Sequence, residues 1–93
     1  MTFVWDPRKA RANIKKHHVD FDEAASVFLD PLATTYADPG DSSEEHREIT
    51  IGYTIKGNPV FVSHCERGAR IRIISARLAT RAEREQYEEG IDS

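Results

Sequence analysis

The chain has 93 residues, 39% of them apolar and 31% charged, with a formal net charge of −3. That length suits one domain over residues 1–93 with a single core, burying roughly 60–65% of its extended surface. No apolar run is long enough to cross a membrane, the opening Thr-Phe-Val-Trp-Asp-Pro has no signal-peptide pattern, the lone Cys65 cannot close an internal disulfide, and no Cys/His pair has zinc spacing. The expectation is a cytoplasmic protein with no structural metal and no cofactor.

Phe3, Val4 and Trp5 form a short strand that stops at Asp6-Pro7, where Asp6 suits an N-cap and Pro7 the first helical position. The helix they start runs to about His17, with Ala10, Asn13, Ile14 and His17 on one face. Its other side is basic: Arg8, Lys9, Arg11, Lys15 and Lys16 meet no acid between residues 8 and 16. His17 and His18 at its end complement the helix dipole. His18-Val19-Asp20 reads as a turn, and Asp20 caps a short second helix that points Phe21, Ala24, Ala25 and Phe28 at the core. Asp30-Pro31 ends it.

From Leu32 to Ala37 the period becomes two, which predicts a strand. Residues 38–45 read as a polar, flexible turn. Arg47 to Ile55 gives the clearest strand, with Ile49, Ile51, Tyr53 and Ile55 on one face, and Lys56-Gly57-Asn58 closes a hairpin. Val60 to Glu66 and Arg70 to Ser75 follow as strands. Thr80 and Glu83 then make a capping box, opening a helix that Gly90 should end near Glu89. The predicted order is β-α-α-β-β-β-β-α, an α+β fold whose antiparallel meander carries its helices on one face.

The chemistry concentrates between Arg67 and Arg84. Six of the thirteen basic side chains (Arg67, Arg70, Arg72, Arg77, Arg81 and Arg84) stand there against one acid, Glu83. All six are arginine, whose planar fork grips phosphate through two hydrogen bonds. Alternation puts Arg70, Arg72 and Ile74 on one face of the last strand and Ile71, Ile73 and Ser75 on the other. His64 or Ser63 would stand beside the arginines on the neighbouring strand. An open sheet face of this kind suits single-stranded RNA, whose own 2′-hydroxyl can attack the phosphate without a metal. His64 or Glu66 would act as base, with Arg72 and Arg77 stabilising the pentacoordinate phosphate. The competing readings are plainer. By composition, the segment is a solvated or partner-binding face, His64 a satisfied core histidine, Cys65 a small core residue and Tyr87 a packing residue rather than an RNA contact.

Longer patterns resemble the BrnT toxin family. They are Phe3-x-Trp5-Asp6-x-x-Lys9, Asn13-x-x-Lys16-His17, Phe21-x-Glu23-Ala24 and Val27-Phe28-x-Asp30-Pro31 in the first half. The second half adds Arg47-x-x-x-Ile51-Gly52, Glu66-Arg67 and Arg72-Ile73-Ile74-Ser75-Ala76-Arg77-x-Ala79-Thr80-x-x-Glu83-Arg84-x-x-Tyr87. His18 replaces a glycine usual after the Lys-His pair. The resemblance implies the toxin of a type II toxin–antitoxin pair, with a fold similar to the RelE-type ribonucleases. It implies RNA cleavage that halts translation, and neutralisation by a small ribbon-helix-helix antitoxin (BrnA) that supplies the operator DNA contacts. It points to Arg72 and Arg77, supported by Arg47, Arg67, Arg81 and Arg84; His64 and Glu66 rest on chemical reasoning alone. The alternative is a non-catalytic module whose arginine face docks an acidic partner or nucleic acid.

Overall fold

The computed structural model describes residues 1–40 and 46–92, so most of the polar turn expected over 38–45 lies outside the described residues. Strand β1 (Thr2–Val4) leads into helix α1 (Pro7–His17) and helix α2 (Phe21–Ala25), which continues as a 3-10 turn over Ser26–Leu29. Strands β2 (Thr34–Ala37), β3 (Glu48–Tyr53), β4 (Pro59–Arg67) and β5 (Arg70–Leu78) follow, then helix α3 (Arg81–Asp92). The first two helices start as their caps dictate. Asp6 accepts the Arg8 N–H at 2.8 Å, and Asp20 accepts that of Asp22 at 2.9 Å.

The five strands form a mixed sheet in the order β1-β5-β4-β3-β2. Strands β2 to β5 pair antiparallel, but β1 pairs parallel with β5, Thr2 beside Arg70 and Val4 beside Arg72. A purely antiparallel meander is therefore corrected, because turn signals between neighbouring strands say nothing of where an N-terminal strand returns. The expectation of helices on one face is corrected as well. Between them β3 and β4 present apolar side chains on both sides of the sheet, Ile49, Ile51 and Phe61 on one and Val60 and Val62 on the other, and each side needs a cover. Val60, Val62, Ile73 and Ala76 pack with Phe21, Ala24 and Val27 under α1 and α2, whereas Ile49, Ile51 and Phe61 pack with Tyr87 of α3. Ring contacts tie the first layer together: Phe3 with Phe28 at 5.1 Å, Phe28 with His64 at 4.9 Å and Trp5 with Phe21 at 6.0 Å.

A bulge decides which arginines meet. Ser63 pairs with Ser75, but His64 pairs with Ile73, so Ile74 is an extra residue in β5. Alternation reverses there. Ala76 joins Ile71 and Ile73 under the helices, and Ser75 and Arg77 join Arg70 and Arg72 on the other face. The expected placing of Ser75 with Ile71 is corrected by that one residue. Other boundaries move less. Strand β3 stops at Tyr53, leaving Ile55 on the hairpin loop and 77% exposed. Helix α3 passes through Gly90 to Asp92.

Strand β1 covers β5 only as far as Arg72, and beyond it the β5 edge would be open. Asn13 of α1 closes it. Its amide donates to the Ala76 carbonyl at 2.8 Å and accepts the Ala76 N–H at 3.1 Å, as a neighbouring strand would. The same side chain donates to the Val19 carbonyl at 2.9 Å, holding the α1–α2 turn against the sheet. Asn13→Ala removes three buried hydrogen bonds and should destabilise the fold by about 2–4 kcal/mol in chemical denaturation. His18, at the C-cap of α1, is left-handed at φ 58°, a conformation that costs a side-chain residue about 1 kcal/mol. His18→Gly should therefore raise stability by roughly 0.5–1 kcal/mol, read as a higher Tm.

Candidate functional site

On the face carrying α3, the strand register lays side chains in rows. Thr34, Ile51, Phe61 and Arg77 make one row, and Tyr36, Ile49, Ser63 and Ser75 the next. Cys65 and Arg72 pair in a third, which Arg47 extends by alternation from just before β3, and Arg67 pairs with Arg70 at the hairpin end. Helix α3 covers the first row and leaves the arginine end uncovered. Arg72 and Arg77 thus share a face, their backbones about 13 Å apart along the sheet. Ser63, rather than His64, stands beside them. Cys65 is a free, fully buried thiol under this surface.

Arg77 is held on three sides. Its guanidinium lies 3.9 Å over the Phe61 ring and makes two hydrogen bonds to Glu83, at 2.7 and 2.9 Å. Glu83 also accepts the Thr80 N–H at 2.8 Å, while the Thr80 hydroxyl accepts the Glu83 N–H at 3.2 Å. The capping box is formed, and its carboxylate serves a second partner. The Arg77 hydrogen bonds hold the Glu83 carboxyl down at about 2, against the opposing effect of burial. Glu83 also raises the Arg77 pKa further. The sequence signal for Glu83 was its capping role; its pairing with Arg77 needs the bulge and so could not be read in advance.

The other proposed residues divide. Arg47 and Arg72 are half-buried and Arg67 and Arg70 exposed at the open end of the face, whereas Arg81 and Arg84 are exposed on α3. Arg81 pairs with Glu85 at 3.0 Å. His64 and Glu66 point to the opposite side of the sheet, since His64 pairs with Ile73 and Glu66 with Ile71. His64 is buried against Phe28, and its Nε2 lies 2.7 Å from the Thr50 hydroxyl. Burial lowers its pKa below 6.5 despite the nearby Glu66. The expectation that His64 and Glu66 stand with the arginines is corrected: β4 alternation turns both away. Among the described residues, no three His, Cys, Asp or Glu side chains converge as a metal site, and no helix is long and apolar enough to cross a membrane.

The model of a family described as the ribonuclease toxin, BrnT, of type II toxin–antitoxin systems matches residues 5–83. The chain belongs to the BrnT toxin family. The fold is also similar to the 1.1 Å crystal structure of the Brucella abortus ribonuclease toxin BrnT, with a TM-score of 0.69 and 26% identity. That likeness covers 87% of this chain and 99% of the Brucella chain. None of the curated proteins matches.

Three residues of the BrnT-like pattern, Asp30, Gly52 and Tyr87, converge where the sheet meets both helical layers. Asp30 accepts the Leu32 N–H at 2.9 Å through one oxygen. Through the other it accepts the Tyr53 N–H at 2.9 Å and the Tyr87 hydroxyl at 2.8 Å. A Cβ on Gly52 would sit 2.9 Å from the Asp30 carboxylate and 3.0 Å from Val27 and Ala33, so only glycine lets this crossing close. Tyr87 is thus buried and structural, anchoring α3 to the end of the 3-10 turn. Burial first, and then Asp30, push its phenol up to about 12. Desolvation raises the Asp30 pKa, but its three hydrogen bonds outweigh this and hold it below 3.8.

Both carboxylates have depressed folded-state pKa values, so their stabilisation is complete above the unfolded values near 4 and is lost as pH falls. Docking of α3 should weaken between about pH 4.5 and 2. The Glu83 share is on the order of 2 kcal/mol after allowing for solvent around Arg77. Thermal melts of the wild type and Glu83→Gln across that window measure it: the variant should start less stable and show a visibly flatter acid limb.

Proposed function

We propose that this BrnT family member is a metal-independent endoribonuclease, with a fold kin to the RelE-type ribonucleases, that cleaves RNA and thereby inhibits translation. The observation carrying this reading is one rigid face on which Arg47, Arg72 and Arg77 surround a row of small hydroxyl side chains, Ser63 and Ser75. An RNA strand laid across that face would meet guanidinium groups at several successive positions. Arg72 and Arg77 would bear the charge that develops on the phosphate as the 2′-hydroxyl attacks, and Arg67 and Arg70 would hold the flanking backbone.

Glu83 is paired and remains ionised to about pH 2, which makes it a weak proton acceptor and a strong positioning partner for Arg77. With His64 and Glu66 turned away, the rate enhancement rests on charge stabilisation and alignment for in-line attack rather than on an imidazole base. The cognate partner is a BrnA-like ribbon-helix-helix antitoxin, which neutralises the toxin and supplies the operator DNA contacts. The cytoplasm, where its RNA substrate is, is the expected place of action.

Purified protein incubated with RNA in excess EDTA tests the reading, with Arg72→Ala and Arg77→Ala beside the wild type. Cleavage should survive chelation and fall at least tenfold in each folded variant, about 1.4 kcal/mol or more of transition-state stabilisation. Cleavage abolished by EDTA would overturn metal independence. Cleavage indifferent to both substitutions would move the site elsewhere.

A further inference from the structure

Beside Arg77, a partly open cleft of about 150 Å³ lies between α3 and the β2–β3 edge, lined by Thr34, Tyr36, Ile51, Glu83, Gln86 and Tyr87. Its lining is unlike a simple packing defect. Ile51 and Tyr87 are buried and fixed, 6% and 7% exposed, whereas Tyr36 is 39% exposed. Tyr36 therefore offers aromatic surface that no other side chain covers fully. Two polar side chains reach the same space. Glu83 is immobilised by Arg77 and the Thr80 N–H, and the exposed Gln86 amide has no hydrogen-bond partner among the described residues.

We propose that this cleft receives one unstacked nucleobase of the RNA, stacked on Tyr36 and read at its exocyclic amino group by Glu83 and Gln86. The inference rests on the ribonuclease reading, because a strand whose phosphate sits at Arg77 brings a neighbouring base to this opening. Single-stranded RNA is recognised by such splaying of a base onto an aromatic ring. The polarity sets the preference. An ionised carboxylate only accepts hydrogen bonds, so it favours the amino groups of adenine, guanine and cytosine and repels the carbonyl oxygens of uracil. The geometry that holds Arg77 in place therefore also fixes the acceptor that would read the base.

Titration of the isotopically labelled full chain with adenosine, guanosine, cytidine and uridine 5′-monophosphates, followed by amide NMR shifts, tests the proposal. Shifts should centre on Tyr36, Gln86 and Tyr87, with uridylate binding several-fold more weakly than the other three. Tyr36→Ala should weaken binding about fivefold or more, the scale of one lost base stack, while Tyr36→Phe retains it. Gln86→Ala, an exposed change, should narrow the difference between uridylate and the rest. Shifts confined to the arginine end, or a response unchanged in Tyr36→Ala, would overturn the base site. RNA cleavage measured on the same samples separates the two readings. Cleft shifts without any cleavage would refute the nuclease assignment and leave the base site standing. Cleavage without cleft shifts would do the reverse.

Discussion

The structure depends on one carboxylate. Asp30 sits at the end of the 3-10 turn, where it gathers N–H groups from its own loop and from β3 and the phenol of α3. No other described side chain binds both helical layers to the same point of the sheet. Burial alone would push such a group towards its neutral form, and three donors reverse that preference. The bare Cα of Gly52 beneath it is part of the same arrangement, because any side chain there would displace the carboxylate from its donors. The cleft, the anchoring of Tyr87 and the approach of Glu83 to Arg77 all follow from α3 being held at this corner.

Much of this was legible in the sequence. Helix starts were written in Asp6-Pro7, Asp20 and Thr80-x-x-Glu83, and each cap forms with its expected donor. Strand periodicity located β3, β4 and β5 to within a few residues. Three things escaped, each for a physical reason. The parallel pairing of β1 depends on a contact across nearly the whole chain, which no local pattern encodes. The second helical cover follows from the sheet being apolar on both sides, a fact visible in Ile49 and Ile51 of β3 against Val60 and Val62 of β4 but masked by assuming one solvated face. The bulge at Ile74 has no glycine or proline to announce it.

The candidate site residues were chosen by chemistry, and the sequence said less about their place. Arginine density between Arg67 and Arg84 singled out the face that Arg70, Arg72 and Arg77 share, while the imidazole that looked useful in the sequence belongs to the core. His64 shows why. An alternating strand gives equal standing to both of its sides until the register is known, and a histidine among valines looks the same from either. Asn13 carries the converse lesson. Read as one polar residue on an apolar helical face, it is instead a surrogate strand, satisfying the peptide group of Ala76 and the turn before α2 together.

The extra residue at Ile74 has a consequence for how the family sequence can drift. The arginine face depends on a count: an odd spacing separates Arg72 from Arg77, yet both emerge on the same side. Removing Ile74 together with the bulge would leave Arg72 and Arg77 four residues apart and still on one side by ordinary alternation, whereas keeping the spacing and losing the bulge would rotate Arg77 toward α1 and α2. Changing the identity of Ile74 would leave the parity intact. Substitution or deletion at this position is therefore a matter of packing, whereas a change that keeps the residue count but flattens the bulge would part the two arginines.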